Sequence, residues 1–259
     1  MLTEEEIRRI ARRKNLYVGL TEKDYVLEWL LKGIYESEIK DSLIFKGGTA
    51  IKKVYFPETW GFSHDMDFTA LCPDSEDINN QLQEVFDDVE RKSTIKIEFK
   101  SFHETSGSII ANVQFLGPLN AKNRIRLDIS LDEPVITEPV SKVMDSQYPD
   151  IGSYEAHAYS LEEILVEKIR SILQRGKSRD YYDVWILLKV ETFDLEEIRE
   201  LLIRKCQFKG IEFDSELIFD ENKLNAAKGF WEVGLKDLVK ELPDFDLVID
   251  GLRRELRGL

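Results

Sequence analysis

The stretch KGGTAIKKVYFPETWGFSHDMDF (Lys46–Phe68) sets two glycines at the mouth of a helical pattern and two aspartates, Asp65 and Asp67, on an apolar run. Carboxylates one residue apart in a hydrophobic segment are costly unless something pairs with them. Read as a strand, DMDFTAL turns Asp65 and Asp67 to one face and Met66 and Phe68 into a core. Two such carboxylates repel unless a cation lies between them. Mg²⁺ suits that place, because it takes carboxylate and phosphate oxygens and keeps several waters.

The glycines belong to the same frame. Gly47 and Gly48 offer backbone N–H groups unencumbered by side chains where a helix opens, an anion site by geometry and dipole, with the Thr49 hydroxyl as a further donor. A lone Gly-Gly pair is usually a plain turn; its spacing from the acid pair gives it weight. A third acid follows the same alternation. In IRLDISL, Ile125, Leu127, Ile129 and Leu131 occupy one face, while Arg126, Asp128 and Ser130 occupy the other. Alone, Asp128 is equally an ordinary solvated side chain. Together with Asp65 and Asp67 it completes a set that can bridge two metal ions about 4 Å apart and support in-line displacement at phosphorus.

Farther along, LEEILVEKIRSIL has an apolar stripe of Leu161, Ile164, Leu165 and Ile172 into which Lys168 falls. Such a lysine either snorkels to the helix edge or meets a phosphate or a carboxylate. In RDYYDVWILL, Asp180 and Asp183 share a face at i, i+3 behind Arg179, opposite Tyr181, Val184, Trp185 and Leu188.

Around these motifs, the first 45 residues read as helical, with Thr21 a plausible N-cap, and SLIFKGG as a short strand or helix end. DMDFTAL, TIKIEFK, SIIANVQFL and IRLDISL are four candidate strands with one helix, INNQLQEVFDDVERK, between the first two. From Ser160 the chain is helical again. Ser160 and Glu163 form a capping-box signature, GFWEVGLKDLVKEL reads as one helix, and Pro243 breaks the pattern before the last one. The expected fold class is α+β: a mixed sheet with flanking helices, then a C-terminal helical bundle. Residues 1–150 are expected to form an α/β domain, and 151–259 a helical domain that completes the cleft.

Composition fits a soluble globular protein of 259 residues, 42% hydrophobic and 33% charged, of one large or two smaller domains. A net charge of −14 argues against broad adhesion to nucleic acid. Local basic stretches at 8–14, 122–126 and 175–179 leave room for a groove, the first reading more simply as a solvated helix face. There is no secretory h-region and no bilayer-length apolar run. Cys72 and Cys206 are too few for a disulfide framework. A reduced, cytoplasmic protein is expected.

The ordered set Gly-Gly-Thr, Ser-His-Asp-Met-Asp-Phe, Leu-Asp-Ile-Ser, and a lysine followed by Arg-Asp-Tyr-Tyr-Asp resembles the AbiEii-type nucleotidyltransferases over roughly residues 40–190. These are toxins of abortive-infection toxin–antitoxin systems within the DNA polymerase beta nucleotidyltransferase superfamily. The resemblance implies that Gly47, Gly48 and Thr49 hold nucleotide phosphates, and that Asp65, Asp67 and Asp128 bind two Mg²⁺ ions, Asp128 also activating the acceptor hydroxyl. It implies further that Lys168, Arg179 and Asp183 contact the nucleotide, that Lys168 and Asp180 support chemistry, and that Ser63 touches phosphate. It implies an NTP substrate, an acceptor such as the tRNA 3′ end, and an antitoxin encoded alongside that acts mainly as a repressor. Transfer to a protein or small molecule, and a catalytically silent nucleotide-binding or regulatory module, are the rival readings.

Overall fold

The computed structural model describes residues 1–57, 65–71, 74–236, 238–239 and 241–259. The chain divides into two units. Met1–Val54, the strands that follow and Pro139–Tyr159 belong to the first; Ile136–Glu138 and Ser160–Leu259 belong to the second.

The first unit is built on one seven-stranded sheet. Its strands are β1 (Leu43–Lys46), β2 (Asp65–Ala70), β3 (Lys96–Glu104), β4 (Ser108–Leu116), β5 (Lys122–Ser130), β6 (Val140–Asp145) and β7 (Ser153–Ala158). The spatial order is β3-β4-β5-β2-β1-β7-β6. Four neighbouring pairs are antiparallel, and two, β2–β5 and β1–β7, are parallel. The four expected strands are all present. The short run LIFK is a strand rather than a helix end, every residue of it buried. Strands β6 and β7 were not expected, because SKV and SYEAHA are too polar or too short for an alternation to stand out.

Helix α1 (Glu4–Lys14) buries Ile7, Ile10 and Ala11 and leaves Arg8, Arg9, Arg12 and Arg13 in solvent, as a solvated basic face would. Helix α2 (Val18–Tyr35) begins three residues before Thr21. That residue lies inside the helix, its hydroxyl donating back to the Tyr17 carbonyl at 3.2 Å, and does not cap it. Its apolar residues Tyr25, Val26, Leu27, Leu30 and Ile34 are core. Helix α4 (Ser75–Ser93) packs against α2 at Gly33, where an added Cβ would lie 2.7 Å from a Val89 methyl. That approach needs a residue with no side chain.

The second unit is helical: α5 (Leu161–Gln174), α6 (Ser178–Val190), α7 (Leu195–Phe208), α8 (Glu221–Gly229), α9 (Trp231–Leu235) and α10 (Phe245–Glu255). Helix α5 packs on α6 and α7, and α6 packs on α9 and α10. The single helix expected over GFWEVGLKDLVKEL is only the five-residue α9 among the described residues, and α8 precedes it unannounced. The Ser160–Glu163 box is half formed. The Ser160 hydroxyl accepts from the Glu163 N–H at 3.1 Å, whereas the Glu163 carboxylate turns to the N–H groups of Ile136 and Thr137. No described helix is long and apolar enough to cross a membrane.

Candidate active site

Strand pairing brings the acids together. Asp67 lies directly opposite Asp128 on the parallel neighbour β5, and Asp65 lies opposite Arg126. All four side chains share the face that Met66, Phe68, Leu127 and Ile129 leave by turning into the core. The face is pinned from the other side by β1, whose Lys46 is opposite Asp67. Thr49 anchors the start of β2: it is fully buried, and its hydroxyl donates to the Asp65 backbone carbonyl. In this arrangement that hydroxyl serves the strand.

Helix α3 (Gly47–Ala50) continues into a π-turn over Ile51–Tyr55. Gly47 has φ +75°, in the left-handed region, and a Cβ there would lie 2.5 Å from Asp67 Oδ2. The residue must be glycine twice over, once for its backbone angle and once because Asp67 fills the space a side chain would need.

Three cations attend the face. Arg126 donates Nη2 to Asp128 Oδ2 at 2.9 Å and Nε to the same oxygen at 3.2 Å. The Asp128 hydrogen bond raises the guanidinium's pKa, and the charges of Asp65 and Asp67 add to the effect. Lys46 is buried and donates to Ser130 Oγ at 2.9 Å and Glu133 Oε2 at 2.6 Å, with its ammonium 5.6 Å from the Tyr159 ring. Lys23 on α2 has its ammonium pKa pushed down by burial, the Asp65 charge working in the opposite direction. Three carboxylates on one face are an oxygen-only donor set, the chemistry a hard cation such as Mg²⁺ requires. Among the described residues, however, no three His, Cys, Asp or Glu side chains stand close enough to form a ready-made metal shell. The donors fit in kind and in facing, with Arg126 on one of them.

The helical unit carries its own cluster. Lys168 meets a carboxylate rather than snorkelling to the helix edge: its Nζ donates to Asp183 Oδ2 at 2.6 Å. Arg179 Nε lies 3.7 Å from the same oxygen, and Asp183 is buried. Asp180 is held elsewhere. Arg175 grips it with two parallel hydrogen bonds of 3.0 and 3.1 Å, fastening the turn between α5 and α6. Asp180 and Asp183 thus leave their helix towards different cations. Ser63 lies outside the described residues.

Residues 29–251 match the family described as "Nucleotidyl transferase AbiEii toxin, Type IV TA system". The chain belongs to that family. The fold is shared with MenT4, a nucleotidyltransferase toxin from Mycobacterium tuberculosis H37Rv, at a TM-score of 0.71 and 18% identity, covering 100% of this chain and 91% of that one. A protein of Aquifex aeolicus (strain VF5), described as uncharacterized, is 35% identical over 52 residues, 20% of this chain; the match spans 24% of that curated relative's length.

Beside the acids, this AbiEii family member has a polar network that the sequence reading passed over. Asp24 and Glu28 of α2 meet Lys52 and Lys53 of the π-turn. Lys52 donates to Asp24 at 3.1 Å, Lys53 lies 3.0 Å from Asp24, and Lys53 also bonds Glu28; all four are buried. Tyr148 donates to Asp24 at 2.8 Å and Tyr154 to Glu28 at 3.2 Å. Burial opposes the Asp24 charge, but the two lysines and Tyr148 hold its carboxyl far below the usual carboxylate range. Burial, aided by neighbouring Lys53, pushes the Lys52 ammonium down to about 8. The available signal was two acids at i, i+4 inside the apolar run of α2. Lys205, buried between Glu163 at 2.8 Å and Glu167 at 3.1 Å, plays the equivalent part in the helical unit.

Proposed function

We propose that this protein is a Mg²⁺-dependent nucleotidyltransferase that moves NMP from an NTP to an acceptor hydroxyl. The observation that carries the reading is the register. Asp67 is set opposite Asp128 and two residues from Asp65 on one sheet face, with Gly47 packed against Asp67. Asp65, Asp67 and Asp128 would hold the metal. When bound, Mg²⁺ supplies charge neutralisation at the phosphates and lines up the reacting oxygens.

The chain's own residues do the rest. Asp128 accepts the acceptor's proton as the hydroxyl oxygen bonds to the α-phosphorus. The bond from that phosphorus to the bridging oxygen breaks, and pyrophosphate leaves with its electron pair. The backbone N–H groups at Gly47 and Gly48 receive phosphate oxygens. Within the helical unit, Lys168 and Arg179 are cations that Asp183 holds and the family resemblance assigns to phosphate, and Asp180 fixes the turn between their helices. The acceptor we favour is the tRNA 3′ end, in the cytoplasm, as the toxin of an abortive-infection system whose antitoxin is encoded alongside. The net charge of −14 weighs against broad adhesion to RNA, and a protein or small molecule is the rival acceptor class.

Incubation with each α-labelled NTP and total tRNA, with RNA and protein labelling read on one gel, tests both. Label in RNA that requires Mg²⁺ and Asp65 supports the tRNA reading; label in protein moves the acceptor. No label in any fraction, together with no Mg²⁺-dependent NTP binding in calorimetry, leaves a silent nucleotide-fold module.

A further inference from the structure

We propose that Arg126 is a resident counter-ion of the acid face, which competes with a divalent cation for Asp128 and so weakens binding of the free metal ion. The inference rests on the metal-binding reading of Asp65, Asp67 and Asp128, and concerns a residue which that reading leaves without a part.

Register and contact place the guanidinium. The Arg126 Cα is opposite Asp65, and its side chain runs along β5 to bond Asp128, which is itself opposite Asp67. One fixed positive charge therefore bears on all three acids. Both of its hydrogen bonds go to a single oxygen, Asp128 Oδ2, one of the two that this carboxylate could offer a cation. The arginine side chain is 46% exposed. A pair this open to water is weakly held and exchangeable, unlike the buried Lys46–Glu133 pair beside it. Lys46 is engaged with Ser130 and Glu133, and Lys23 faces Asp65 from α2; neither has a contact with Asp128 of the kind Arg126 makes. Arginine cannot shed its proton near neutral pH, so the competition persists across the physiological range. A metal ion delivered with a triphosphate brings oxygens to which the guanidinium fork can turn, and then it need not compete. Arg126 is thus a positioning residue for cation entry.

Mn²⁺ binding followed by electron paramagnetic resonance, without nucleotide, isolates the effect from turnover. Arg126→Gln should bind Mn²⁺ about three- to tenfold tighter than the unaltered protein, and Arg126→Lys should stay near it. Raising NaCl should narrow the gap, because the competition is between partly exposed charges. Far-UV circular dichroism confirms the fold, with Arg126→Met as a second charge-removing variant if the glutamine perturbs β5. Equal or weaker Mn²⁺ binding by both folded variants overturns this inference alone. Mn²⁺ binding that is indifferent to Asp65→Asn overturns the metal-site reading, and this inference with it.

Discussion

Two charged clusters flank the helix that starts at Gly47, and they are built on opposite principles. The network of Asp24, Glu28, Lys52 and Lys53 is buried, two acids against two lysines, with tyrosine hydroxyls filling remaining acceptor positions. The face of Asp65, Asp67 and Asp128 is half exposed, and Arg126 is the residue that bridges onto it along the same strand. Burial tolerates charge only where it is matched and hydrogen-bonded. An acid cluster whose contacts stay open to water keeps an attraction for something positive. The matched, buried cluster therefore holds structure, and the half-exposed face is where we propose that a ligand binds.

Single substitutions should therefore separate activity from stability. Asp65→Ala should lower nucleotide transfer by about a thousandfold or more while leaving the urea midpoint nearly unchanged, since metal charge stabilisation is worth several kcal/mol and the residue is half exposed. Asp24→Ala should do the reverse. It removes the carboxylate that both buried lysines contact, and chemical denaturation should show a loss of about 3–5 kcal/mol. The acid limb offers an independent check. A carboxyl held below its unfolded value contributes stability that is present above the unfolded pKa and lost as pH falls through the folded one, so Asp24→Asn should flatten the stability profile below about pH 4. An Asp24 variant that is stable but inactive would break the comparison.

The two clusters were unequally legible in the sequence. The acid face could be read because a strand has a period of two: DMD and RLD each show their facing directly. What alternation cannot show is which strand lies beside which. The parallel pairing of β2 with β5 and the opposition of Asp65 to Arg126 depend on contacts far apart in the chain, so alternation sets Arg126 on the face of Asp128 without showing that it lies opposite Asp65. The buried network was hidden for another reason. Asp24 and Glu28 look like the polar face of α2 until the lysines after Gly47 are seen turning inward, and the π-turn that aims both of them inward departs from the 3.6-residue period used to assign faces. Lys168 stands out as a cation in an apolar stripe and Asp183 as an acid of the next helix; only their pairing requires the fold.

Gly47 joins the two clusters and gives a sharper test. Gly47→Ala must adopt φ +75° and push against Asp67, so we expect about 1–2 kcal/mol lost in denaturation and a larger proportional loss of Mn²⁺ binding. Stability falling with metal binding intact would show that Asp67 yields without consequence, and would weaken the case for it as a ligand.

The smallest effect is the most specific to the matched cluster. Burial and Lys53 bring the Lys52 ammonium down to about 8, so the folded protein releases that proton before the unfolded chain does. Between pH 8 and the ordinary lysine range the unfolded state binds more protons, and this residue's contribution to stability rises with pH, by about 1 kcal/mol per unit. Lys53 is shifted the other way: burial opposes its charge, but Asp24 and Glu28 outweigh that, and its stabilisation persists until well above the window. A pH series of urea melts on Lys52→Met and the unaltered protein should therefore converge or cross as pH rises from 7 to 9.5, with the unaltered protein gaining. Parallel curves would mean that Lys52 stays fully charged in the fold, and that its 3.1 Å contact with Asp24, nearly the equal of the 3.0 Å contact from Lys53, outweighs burial.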